Sequence, residues 1–126
     1  MSPTVVLLDD DDDLREALVE LFDSSGCECF PAASVEELQR LPSRSLESNV
    51  ALLDINLGAE RQSGLDAFRW LQAQHFGGQI VFLTGHAKSH PLVEEARRLS
   101  GVRVMEKPMP MDELLALVLP TKAAPS

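Results

Sequence analysis

Five short aliphatic runs, each followed by a longer stretch with helical spacing, constrain this chain more than any other feature. Thr4 to Leu8 is apolar after its first residue, and Leu14, Ala17, Leu18, Leu21 and Phe22 then recur at the i, i+3, i+4, i+7, i+8 spacing of a buried helix face. Ser24-Ser25-Gly26 stops that helix. Cys27 to Phe30 reads as the second strand. Ser34 caps a helix carrying Val35, Leu38 and Leu41, with Glu37 three residues after the cap, and Pro42 ends it. After a polar connector, Val50 to Ile55 forms the third strand, and Leu65, Phe68 and Leu71 mark the inner face of the third helix, with Trp70 half exposed beside them. Gln79 to Thr84, Pro91 to Leu99, Val102 to Glu106 and Met111 to Leu119 complete the strand and helix alternation.

Strands that are apolar on both faces and alternate with helices imply a parallel sheet covered on both sides, here a doubly wound α/β domain. At 126 residues the chain has the size of one domain, expected over 1–120, with 121–126 (Thr-Lys-Ala-Ala-Pro-Ser) composed like a tail or the start of a linker. A formal charge of −9 opposes direct binding to nucleic acid or to an anionic membrane. No apolar run is long enough to span a bilayer, and Met1-Ser2-Pro3-Thr4 lacks a basic segment leading into an apolar one, so a cytoplasmic location is expected. Cys27 and Cys29 supply too few ligands for a closed zinc site and read as reduced, buried thiols.

Doubly wound sheets carry their functional groups at the carboxyl ends of the strands, near the point where strand order reverses. There the sequence offers Asp9 and Asp10, then Asp54, Thr84 and Lys107. In a 2-1-3-4-5 order the strands bearing them are contiguous and roughly 4.8 Å apart. Asp10 and Asp54 become neighbours, Thr84 stands just beyond, and Lys107 is two strands from Asp54, about 10 Å at the backbone, a gap that a long side chain closes. Carboxylates so placed repel one another unless a cation intervenes. Mg²⁺ prefers oxygen ligands and keeps several waters, so Asp10, Asp54 and the carbonyl of Asn56 make a suitable set. With Lys107 neutralising a transferring group and the Thr84 hydroxyl donating to it, Asp54 becomes a carboxylate nucleophile toward phosphorus.

Val5-Val6-Leu7-Leu8-Asp9-Asp10, Ala51-Leu52-Leu53-Asp54-Ile55, Ile80-Val81-Phe82-Leu83-Thr84-Gly85 and Glu106-Lys107-Pro108 stand in the order and spacing of the response-regulator receiver domains, which the chain resembles over essentially its whole length. The resemblance implies a flavodoxin-like fold and a place in bacterial two-component phosphorelay signalling. It makes Asp54 the phosphoacceptor, Asp10 a direct Mg²⁺ ligand, Asp9 a ligand through water, Asn56 a carbonyl ligand, Thr84 the switch hydroxyl and Lys107 the phosphate-sensing cation. It also implies a histidine kinase or phosphotransfer protein as donor and a downstream protein as target. The chain would then be a switch that catalyses its own phosphorylation and dephosphorylation, not a metabolic enzyme. Pro108 matches a family proline whose peptide bond is commonly cis.

The chain departs from the family pattern in the loop over 55–64, where Gly58 replaces a usual proline and Gly64 arrives ten residues after Asp54 instead of eight. Val104 replaces an aromatic that many members carry three residues before the lysine, and the connector into the fifth strand is about one residue short. Arg61 reads as a solvated loop residue. Asp11, Asp12 and Asp13 read as a solvated lead into the first helix, where carboxylates favour the helix N-terminus. His86, two residues after Thr84, borders the acceptor by the resemblance, with a role in phosphate loss weighed against none, while His75 and His90 read as surface residues at helix ends. Two rival readings share parts of the pattern. A haloacid-dehalogenase-type hydrolase would use Asp9-Asp10-Asp11 and Lys107 but needs later acidic ligands, for which only Asp112 and Glu113 remain. A receiver-like adaptor would bind partners without phosphorylation.

Overall fold

A computed structural model describes residues 3–55, 63–85, 91–107 and 109–118. The elements run β1 (Thr4–Leu8), α1 (Asp12–Ser24), β2 (Glu28–Ala32), α2 (Val35–Gln39), a 3-10 turn (Ser43–Glu47), β3 (Val50–Asp54), α3 (Gly64–Ala73), β4 (Gln79–Thr84), α4 (Pro91–Arg97), β5 (Val102–Glu106) and α5 (Met111–Val118). All strand pairings are parallel, in the order β2-β1-β3-β4-β5. The chain therefore has the flavodoxin-like, doubly wound architecture expected of it. Asn56, Gly58, Arg61, His86, His90 and Pro108, and the segment 121–126, lie outside the described residues.

Alternation along each strand sorts the core into two layers. Val6, Leu8, Ala51, Leu53, Ile80 and Phe82 face α2, α3 and α4, where Leu38, Leu65, Phe68, Leu71 and Val93 meet them. Val5, Leu7, Val50, Leu52, Val81 and Leu83 face α1 and α5 through Leu18, Phe22, Leu114 and Val118. Leu18, Phe22, Leu52 and Phe82 are among the residues wholly removed from solvent, and each such side chain contributes roughly 1.5–3 kcal/mol relative to exposure. Only the inner strands are buried on both faces. β5 holds only half-buried and exposed residues, as fits an edge strand.

Local chemistry explains most boundaries. Asp11 caps α1 by accepting from the Leu14 amide, and Ser34 caps α2 by accepting from Glu37. The expected return arm from Glu37 lands on the Ala33 amide, one residue before the cap. At the end of α1, Gly26 adopts φ 82° while its amide and that of Cys27 donate to Asp23 and Phe22, the closure that a left-handed residue permits. His75 performs the same role after α3 at φ 63°, its amide and that of Phe76 donating to Gln72 and Leu71; it is exposed, as expected.

Two expectations need correction. Ala17 is exposed, because the buried stripe of α1 runs through Leu14, Leu18 and Phe22 and leaves Ala17 one step to the outside. The second strand is Glu28–Ala32, later than Cys27–Phe30, and contains Pro31. β2 pairs only with β1, so the missing amide of Pro31 interrupts no second ladder. The polar connector before β3 has structure of its own. It holds the 3-10 turn, tied to β2 by paired bonds from Arg44 to Glu28 at 2.6 and 2.7 Å and by the Arg44 guanidinium lying over the Phe30 ring.

Candidate functional site

Register brings the site together. Leu8 pairs with Leu53, so Asp9 leaves β1 level with Asp54 at the end of β3. Asp54 pairs with Leu83 and Thr84 with Glu106, which sets Thr84 one residue beyond the level of Asp54 and Lys107 just past β5. Asp9, Asp54 and Thr84 are all buried, Asp9 and Thr84 completely, whereas Asp10 is exposed. One carboxylate oxygen each from Asp9, Asp10 and Asp54 can be chosen so that all lie within 4.8 Å of one another.

Lys107 closes the gap across the sheet as its length demands. Its amide donates to the Thr84 carbonyl at 2.8 Å, fixing the backbone. Its ammonium then reaches back over β4 to Asp9 Oδ2 at 2.9 Å and Asp54 Oδ2 at 3.3 Å. Burial pulls the Lys107 pKa down, but the hydrogen bond it donates to Asp9 and the charges of Asp54 and Asp9 outweigh it, and the net direction is upward. The ammonium therefore stays charged. The bond to Asp9 was not among the sequence expectations, which aimed Lys107 at a phosphoryl group. Its signal was the charge imbalance itself, since a completely buried carboxylate needs a partner.

The Asp9 carboxylate also accepts from the Asp11 amide at 2.9 Å, and the Asp9 amide donates to Ala32 at 3.1 Å. Arg15, which sequence reasoning passed over, donates to the Asp9 carbonyl at 2.8 Å. On the opposite flank, Ser63 caps α3, accepting from the Leu65 amide while its own amide donates to Asp66 at 2.7 Å. Gly64 then lies directly against Asp54. A Cβ there would meet the Asp54 carbonyl oxygen and stand 2.9 Å from its carbon, so no other residue allows α3 to begin so close to β3. The longer loop thus still ends on a glycine at the Asp54 backbone. A groove of about 360 Å³, lined by Asp11, Leu14, Lys107, Met109 and Met111, opens beside the lysine.

The donor set fits a hard divalent cation: three carboxylates at ligating separation, with the exposed Asp10 leaving room for the waters that Mg²⁺ retains. The two cysteines supply no site. Cys27 is buried and Cys29 half-buried, both thiols are free, and burial pushes them up to about 11 and about 12, with the charge of Glu28 adding to the first and Cys27 to the second. Among the described residues no helix is long and apolar enough to cross a membrane.

Comparisons with known proteins agree with this geometry. The sequence matches the response regulator receiver domain family over residues 5–119. It is 30% identical over 118 residues to the transcriptional regulatory protein FixJ of Bradyrhizobium diazoefficiens, covering 90% of this chain and 54% of that protein. It is 32% identical over 127 residues to the C4-dicarboxylate transport transcriptional regulatory protein DctR of Rhodobacter capsulatus, covering 98% and 62%. A third relative, DctD of Pseudomonas aeruginosa, is 28% identical over 111 residues, 88% of this chain and 23% of that one. The chain thus spans less than two thirds of the length of each. Among solved structures, the receiver domain of NtrX from Brucella abortus superposes with a TM-score of 0.74 at 24% identity, over 90% of this chain and 92% of that one. A CheY-like receiver domain protein from Methanospirillum hungatei gives 0.75 at 21%, over 92% and 90%. The family match decides against the hydrolase reading, and this chain belongs to the response regulator receiver domains of two-component signalling.

Proposed function

We propose that the chain takes a phosphoryl group on Asp54 from a partner's phosphohistidine, in a Mg²⁺-dependent reaction, and thereby switches a protein-interaction surface. The observation that carries this reading is the convergence of Asp9, Asp10 and Asp54 within 4.8 Å under an ammonium 3.3 Å from Asp54. Asp10 and Asp54 would hold the metal directly, Asp9 through water, and the carbonyl of Asn56 would complete the protein's share. Bound Mg²⁺ supplies neutralisation of the charge on the phosphoryl oxygens. An Asp54 carboxylate oxygen forms the new bond to phosphorus as the phosphorus–nitrogen bond of the donor breaks, its electron pair leaving with the imidazole. Lys107, already charged and bridging Asp9 and Asp54, turns toward the added phosphoryl oxygens, and the Thr84 hydroxyl donates to another. Movement of Thr84 and the segment after it biases a two-state equilibrium of the face formed by α4, β5 and α5. Val104, half-buried in β5 and paired with Phe82, replaces the family's aromatic, so the response there runs through aliphatic packing. Attack of water on the same phosphorus returns Asp54 to its carboxylate.

Incubation with Mg²⁺ and acetyl phosphate tests the reading by intact mass. One phosphoryl group should be gained by the protein and none by Asp54→Asn or in EDTA. Absence of any adduct on the unaltered protein would favour the non-phosphorylated adaptor.

A further inference from the structure

We propose that Arg15 is a positioning residue for the metal site: its guanidinium locks the peptide between Asp9 and Asp10 and so aims the Asp10 carboxylate at the cluster. This rests on the metal-dependent reading above and adds to it a residue outside the acidic, threonine and lysine set.

Arg15 stands on the second turn of α1 and its own amide donates to Asp11 at 2.9 Å, which anchors it in regular helix. Long helical side chains point back toward the helix N-terminus. Arg15 follows this rule, folding over the first turn to place Nη1 2.8 Å from the Asp9 carbonyl and Nη2 2.5 Å from Asp12 Oδ1. Its side chain is only 18% exposed, although Asp12 is 75% exposed. A cation at a helix N-terminus opposes the helix dipole, so its position there is set by these two bonds and by the acidic turn around it.

The bond to Asp9 matters because of what that carbonyl belongs to. The peptide unit is planar, so fixing the Asp9 oxygen fixes the plane that carries the Asp10 nitrogen and Cα. The Asp9 amide is held by Ala32 at 3.1 Å and its carboxylate by Lys107 and the Asp11 amide at 2.9 Å each. Arg15 supplies the remaining restraint on that residue. Asp10 has no such network: its side chain is exposed, and among the described residues nothing hydrogen-bonds its carboxylate. Its direction follows from its backbone, and its backbone follows from Arg15.

Charge and positioning predict opposite signs, which makes the role testable. A cation beside three carboxylates opposes a second cation, so if Arg15 acted only through charge its removal would tighten Mg²⁺ binding. If it positions Asp10, removal weakens binding, by about tenfold for a group that orients a ligand. Calorimetric Mg²⁺ titrations of the unaltered protein, Arg15→Met and Arg15→Lys measure this directly. Methionine keeps the apolar stem. Lysine keeps the charge and one of the two bonds, and should fall between the other two. Melting in EDTA checks that each variant folds, and Arg15→Lys decides the matter if Arg15→Met does not. Affinity equal to or tighter than that of the unaltered protein in a folded variant would overturn the positioning role while leaving the metal reading intact. Failure of the unaltered protein to take up Mg²⁺ would overturn both.

Discussion

Replacing Lys107 by methionine removes an ammonium that touches both buried carboxylates of the site, 2.9 Å from Asp9 and 3.3 Å from Asp54. At such separations and an effective dielectric near 20, each attraction is worth about 5 kcal/mol before desolvation is subtracted. Subtraction leaves little net gain from having the pair, but deleting one member strands the other and costs about 3–5 kcal/mol. The Lys107 side chain is 22% exposed, so water can reach part of the vacated space, and the loss should lie near the lower end, about 3 kcal/mol. For a chain of this size that is a fall in Tm of roughly 10 °C, measured in EDTA at pH 7. The pH dependence gives a second check. Because the folded pKa of Lys107 is raised above its ordinary 10.5, its contribution is fully present below that value and disappears as pH rises through the folded one. The gap between the two proteins should therefore be constant from neutral pH to about 10 and narrow only above. Mg²⁺ should also narrow it, by supplying positive charge to the same carboxylates. A variant within 1 kcal/mol of the unaltered protein in EDTA, or a gap that widens in alkali, would refute the reasoning.

Asp10→Asn removes one of three carboxylates within 4.8 Å and should stabilise the metal-free protein by about 1 kcal/mol, the screened value for an exposed member. Saturating Mg²⁺ should reverse that ranking, since only the unaltered protein gains the full binding energy; paired melts in EDTA and Mg²⁺ show both, and destabilisation in EDTA would count against it. Gly64→Ala should cost more than about 2 kcal/mol in urea unfolding and slow phosphorylation, because the added carbon meets the Asp54 backbone. Alanine is the better helix former, so a gain in stability would disprove the contact. Cys27 and Cys29, held near 11 and 12 by burial, should present thiolate at about one part in a thousand or less at pH 8. Iodoacetamide should then label them slowly in the native protein and quickly in urea; rapid native labelling would show the strand is not closed.

What the sequence made legible was whatever depends on periodicity and on chain ends of strands. The five strands, their parallel order and the row of Asp9, Asp10, Asp54, Thr84 and Lys107 follow from apolar runs that each stop at a polar residue, and β4 and β5 fall on the expected residues. The misses share a different origin, because they depend on which of several permissible partners a group takes. Ala17 satisfies a helical spacing as well as Leu14 does, yet a methyl group gains too little by burial to decide how the helix rolls, and Leu18 and Phe22 decide it. Pro31 is compatible with a strand only at an edge, a fact that needs the sheet order first. The position of Lys107 at a strand end points to a phosphoryl group and says nothing of its resting partner, although a buried Asp9 has to be paired in the unmodified state. That pairing has a mechanistic consequence. On the proposed reading, the cation that would respond to phosphate is already engaged with Asp54 and Asp9, so phosphorylation would redistribute an existing ion pair instead of recruiting a free charge. The energy available to drive the proposed switch would therefore be the difference between two arrangements of Lys107, not the full strength of either.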